Sequence, residues 1–274
     1  MKSKISLGLC LNLFTVLAGC AGTAPPADPV PPHDGLTIAS VAVGETRTIN
    51  VYTPPGYAAG EAAYPVLYMP DGGIGEDFPH IANTIDQLIE DGEIAPVLVV
   101  GIENTDRHRD LTGPSTTEGD LRYGPAGDGA AAFREFIRTE LIPEIDRRYR
   151  TTGHRAIVGE SLAGLFVVDT FFREPDLFER YVAMDPSLWW DDHALVRHAA
   201  ERLPDLGGKG LTLWFTGSDA KDIVRHTEQL SEILEEDAPQ DLRWTYDPRP
   251  AEHHNTIFRA TKVDAFRWAL WPSE

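Results

Sequence analysis

The sequence predicts an α/β fold, a mostly parallel sheet covered by helices on both faces, on three observations. Short apolar runs at 65–69, 96–102, 155–159, 180–185, 211–216 and 242–246 alternate with stretches whose apolar residues recur at helical spacing, as buried strands and their crossover helices do. Gly159-Glu160-Ser161-Leu162-Ala163 sets a serine between a strand-like run and a helix-like one, with small residues on either side. Such a strand-to-helix turn leaves no room for larger neighbours. An acidic exit loop and then a histidine pair after the last strand complete the order Ser, acid, His.

The chain begins with Lys2 and Lys4, an apolar stretch over 5–16, and Leu17-Ala18-Gly19-Cys20. This is the build of an export signal, too short to span a bilayer as a helix. Its ending resembles the lipobox of bacterial lipoproteins. That resemblance implies cleavage before Cys20, lipidation of its thiol, and an anchor in the cell envelope, on the periplasmic side or the outer membrane. Residues 21–34, with Pro25, Pro26, Pro29, Pro31 and Pro32, read as an extended linker without secondary structure. Residues 35–274 then form one domain. Cys10 falls in the removed segment, so the mature chain has no internal disulfide. The formal charge of −19 argues against nucleic acid or an acidic membrane face as a partner. Membrane contact is expected through the anchor only.

Taken in order, 36–43 and 46–53 alternate apolar and polar around Gly44-Glu45 and predict a hairpin. The run at 65–69 leads into Pro70-Asp71-Gly72-Gly73, a loop that suits an oxyanion-hole donor at Gly73 because glycine leaves its amide unshielded. Ile81, Ile85, Leu88 and Ile89 share a helical face ahead of the run at 96–102. A long polar loop at 103–128 carries Arg107, His108, Arg109 and Arg122, candidates for an anionic substrate group or for a salt-bridged surface cluster. Phe133, Ile137, Leu141 and Ile145 step by one helical turn and predict a core-facing helix before the serine. Trp189 and Trp190, just past the run at 180–185, are candidates to wall a substrate pocket or to pack beneath a loop.

The serine itself, Ser161, is the candidate nucleophile. The helix after it would aim the Leu162 N–H at developing negative charge. The acid belongs in the exit loop after the run at 211–216, where Asp219 and Asp222 both qualify; Asp219 is preferred, since Asp222 suits a helix N-cap. The base belongs after the last strand, at His253 or His254. Adjacent histidines with no second spaced pair make a poor metal site, and the chemistry calls for no cofactor.

Together these segments resemble the putative-esterase (esterase D) family of α/β-hydrolases, nearest to its enterobactin-esterase-like, periplasmic siderophore esterase branch. The resemblance covers Val51 to the C-terminus. It rests on Val51-Tyr52-Thr53-Pro54-Pro55-Gly56-Tyr57, Tyr68-Met69-Pro70-Asp71-Gly72-Gly73, Arg109-Asp110-Leu111-Thr112, the serine turn, Pro186-Ser187-Leu188-Trp189-Trp190 and His254-Asn255-Thr256-Ile257. It implies the α/β-hydrolase fold and a serine esterase acting on small-molecule esters, siderophore or aryl esters among them, through Ser161 and His254; the family's acid position varies, so Asp219 rests on its place in the exit loop. The family's His precedes a small residue and Ser or Thr, which selects His254 over His253. Acyl transfer to another alcohol is the alternative on the same site, and a non-catalytic surface-binding lipoprotein is the alternative outside catalysis.

Overall fold

The computed structural model describes residues 28–122 and 127–273. The expected signal segment with Cys10 and Cys20, and the first part of the expected linker, lie outside the described residues. The hairpin comes first: β1 (Asp34–Ala39) and β2 (Thr46–Tyr52) pair antiparallel. Six further strands are mutually parallel: β3 (Tyr64–Met69), β4 (Leu98–Ile102), β5 (Thr151–Glu160), β6 (Arg180–Met184), β7 (Thr212–Gly217) and β8 (Arg243–Pro248). The sheet order is β1-β2-β4-β3-β5-β6-β7-β8, with β2 antiparallel to β4. This is the α/β-hydrolase fold.

Alternation along each strand divides the interior into two cores. Val66, Tyr68, Val100 and Ile157 face one, with Phe133, Ile137, Leu141 and Phe166. Leu67, Met69, Val99, Val158 and Val182 face the other, with Phe78, Ile81, Ile85 and Phe266. Helices α1 (Phe78–Glu90) and, at the end of the chain, α9 (Ile257–Ala269) cover the second face. The predicted long helix before the serine is in three parts: α3 (Gly129–Phe136), a π turn (Ile137–Leu141) and α4 (Ile142–Arg148). Pro143 accounts for the interruption, since its ring has no N–H and crowds the preceding turn.

The loop after β4, expected to be irregular, folds a short helix, α2 (Arg107–Leu111), capped by Asp106, which accepts from Arg109 N at 3.1 Å. Helix α5 (Leu162–Arg173) follows the serine. After β6 come α6 (Trp190–Arg197) and α7 (Ala199–Arg202), then α8 (Lys221–Asp237) between the last two strands. Asp222 sits in the first turn of α8, and Ala220 is the residue at its N-cap. Residues 28–33 carry neither helix nor strand; Asp28 pairs with Arg259 and Pro29 O accepts from Asn83 Nδ2 at 2.8 Å.

Candidate active site

Because β3 to β8 are parallel, their C-terminal ends open on one edge, and the loops there can converge. Ser161 stands between β5 and α5 with φ 59° and ψ −118°, a conformation that non-glycine residues rarely adopt. The fold holds it there from both sides. Its N–H donates to Met184 O at 3.0 Å, and its carbonyl accepts from Leu165 N at 2.9 Å and Ser187 N at 3.0 Å. Gly159 makes the turn sterically feasible, since a Cβ there would lie 2.6 Å from the Ala163 backbone.

From the loop after β8, His254 points Nε2 at Ser161 Oγ, 3.1 Å away. Its Nδ1 lies 2.6 Å from Asp185 Oδ2, at the exit of β6. Asp185 is fully buried yet well supplied with donors. Oδ1 accepts from Ser218 N at 2.6 Å, and Oδ2 accepts from Ser218 Oγ at 2.8 Å as well as from the imidazole. The hydrogen bond to Asp185 is the main cause that raises the His254 pKa above its ordinary value, against burial, which lowers it; the charges of Asp185 and Glu160 add to the rise.

The structure does not bring Asp219 to His254; Asp185 stands there instead. Asp219, expected against His254, instead lies 2.7 Å from Nδ1 of His253, in a pair that is largely exposed. The exit loop of β7 carries Asp219 outward beyond Ser218, whereas Asp185, with φ 46°, turns inward directly after its strand. Asp222 has no direct contact with the imidazole in this arrangement and reaches it only through its charge.

Leu162 opens α5, a position whose N–H has no intrahelical partner. Gly73 lies in the β3 exit loop as expected, but its N–H is engaged, donating to Glu76 Oε2 at 2.7 Å. Two of the arginines are engaged too. Arg107 makes a two-pronged pair with Asp71 (2.6 and 2.9 Å) and also donates to Glu160 O at 3.2 Å. Arg109, expected at the substrate, donates to Asp110 at 2.7 Å and to Glu45 at 2.6 Å. Asp110 is buried and also bound by Arg47, so Arg109 belongs to a structural network. Arg122 stands exposed on the loop.

Trp190 is mostly interior packing: it is buried, and Nε1 donates to Gly113 O at 3.1 Å. One side of it lines a cavity of about 230 Å³ with Leu111 and Leu165. Trp189 is half-buried, with its ring centroid 6.0 Å from that of Trp190. Around the serine the charge is largely acidic. The Glu160 carboxyl is pushed up to about 8, first by burial and then by Asp77. No group of three or more His, Cys, Asp or Glu side chains among the described residues is arranged to hold a metal ion.

A buried carboxylate, an imidazole and a serine hydroxyl in one hydrogen-bonded line can move a proton off the hydroxyl and hold the resulting cation. Several of the proteins this chain resembles are named as esterases or serine hydrolases. A family model described as putative esterase matches residues 40–267. The ferri-bacillibactin esterase BesA of Bacillus subtilis strain 168 is 28% identical over 259 residues, 83% of this chain and 86% of its own. Among solved structures, an IroE-like serine hydrolase of Shewanella oneidensis superposes with a TM-score of 0.76 at 27% identity, over 86% of this chain and 79% of that one. The BES protein of Bacillus cereus gives a TM-score of 0.76 at 20% identity, covering 90% of this chain and 98% of its own, a likeness of fold.

Proposed function

The chain belongs to the putative esterase family and hydrolyses carboxylic esters, and from that premise we propose that Ser161 is its nucleophile, His254 its base and Asp185 the orienting acid. The observation that carries this reading is the unbroken line from Ser161 Oγ through His254 to Asp185, at 3.1 and 2.6 Å. His254 Nε2 takes the hydroxyl proton as Oγ bonds to the ester carbon and the carbonyl electrons move onto oxygen. The N–H groups of Leu162 and Gly73 receive that oxyanion. Collapse breaks the ester C–O bond, and the leaving alkoxide takes the proton from His254. Water then attacks the acyl-serine by the same route, releasing the acid and restoring the hydroxyl.

For substrate we propose a siderophore or aryl ester, on the strength of the similarity to the bacillibactin esterase. The test is a hydrolysis screen of the purified domain and its Ser161→Ala variant. It covers short acyl esters, feruloyl esters, and ferric and iron-free catecholate siderophores. Serine-dependent cleavage of a siderophore well above the simple esters supports the reading; preference for acetyl esters alone refutes it. We further propose export and lipidation at Cys20, which a mass shift of the mature chain, lost in Cys20→Ala, would test.

A further inference from the structure

Glu76 sits where catalysis needs an open donor. Its carboxyl accepts from Gly73 N at 2.7 Å, while its own N–H donates back to Gly73 O at 3.0 Å, closing a reciprocal turn. The carboxyl is packed against the glycine: a Cβ on Gly73 would meet Glu76 Oε2 at 2.9 Å. Across the cleft it approaches Asn104 N at 3.4 Å, so it also bridges the exits of β3 and β4. A backbone N–H has one strong hydrogen bond to give. A carboxylate that holds it both blocks the position of the oxyanion and opposes its charge.

We propose that Glu76 competes with the reaction's oxyanion for the Gly73 N–H, so that each turnover requires the carboxylate to swing away. The inference rests on Gly73 being an oxyanion donor, as proposed above. Burial raises the Glu76 pKa against the hydrogen bonds from Gly73 and Asn104, with the Asp71 charge adding to the rise, and among the described residues no cation pairs with the carboxylate. Its hold on the amide is then less costly to break than that of an ion-paired group. The turn it closes ensures its return when the product leaves.

The test is steady-state kinetics on an aryl acetate, with wild type, Glu76→Ala and Glu76→Gln, together with inhibition by a trifluoromethyl ketone, whose serine adduct places an oxyanion in the hole. For Glu76→Ala we expect kcat to rise about tenfold with KM little changed, the factor for freeing one hydrogen bond of about 1.4 kcal/mol. Ketone affinity should rise by a similar factor. Glu76→Gln keeps an uncharged acceptor and should show a smaller gain in both. A folded Glu76→Ala protein with unchanged or lower kcat would overturn the proposal; should that variant not fold, an unchanged or lower kcat in Glu76→Gln would do so. Residual activity in Ser161→Ala would instead strike the nucleophile assignment, so the two failures are distinguishable.

Discussion

Replacing Asp185 by asparagine exchanges one carboxylate oxygen for an amide nitrogen and should nearly silence the enzyme. Asp185 Oδ1 is held by Ser218 N at 2.6 Å, so the amide oxygen of the variant must face that donor. The amide nitrogen then takes the place of Oδ2, beside His254 Nδ1. There it is a donor, and the imidazole answers by accepting at Nδ1 and carrying its proton on Nε2. That nitrogen can no longer take the Ser161 proton. The loss expected from a wrong tautomer with intact geometry is about 10³- to 10⁴-fold in kcat. A second signature follows from charge. The Asp185 hydrogen bond is the leading cause that raises the His254 pKa, so the acid limb of kcat/KM should move to lower pH in the variant, where burial of the ring remains. The assay is p-nitrophenyl acetate hydrolysis across pH, with circular dichroism to establish folding. An Asp185→Asn protein retaining a tenth of the activity, or a larger loss in Asp219→Asn, would refute this assignment of the acid.

The adjacent histidines should separate cleanly: His254→Ala loses about 10³-fold or more in kcat, whereas His253→Ala, whose ring pairs with exposed Asp219, stays within about twofold. Glu160 holds its proton up to about 8 in the folded chain, above its ordinary 4.5. The folded state therefore binds more protons than the unfolded one across that window, and stability falls as pH rises through it. Glu160→Gln removes this loss, so its Tm should gain on wild type between about pH 5 and pH 8.5; a pH-independent difference would contradict the cause given. Arg109→Ala should cost stability, about 1–2 kcal/mol for its bonds to Asp110 and Glu45, and leave the ratio of kcat/KM for a carboxylated and a neutral aryl ester unchanged. A fall in that ratio would return Arg109 to the substrate.

Which parts were legible in the sequence follows from how local their causes are. The turn at Ser161 needs small neighbours within a few residues, so Gly159 and Ala163 write it into the chain. His254 follows from strand order and a short family pattern. Asp185 was hidden because it ends an apolar run and reads as its last strand residue. The role proposed for it depends on Ser218 and His254, which only the sheet brings to it. A lone carboxylate closing an otherwise apolar run, beside the strand that leads to the serine, was the available signal. The sequence left the arginine cluster open between substrate and salt bridges for the same reason: Asp71 and Glu45, which pair with Arg107 and Arg109, are distant in sequence. The interrupted helix before β5 was readable in principle, since Pro143 lies inside its periodic stretch.

The most direct test of the central claim is covalent labelling. The purified domain is treated with a fluorophosphonate, and the adduct is located by peptide mass spectrometry. The line from Ser161 through His254 to Asp185 predicts a single adduct on Ser161. It should be absent in Ser161→Ala and formed at least about 10²-fold more slowly in both His254→Ala and Asp185→Asn. An adduct on another residue, or labelling of Asp185→Asn at the wild-type rate, would contradict it.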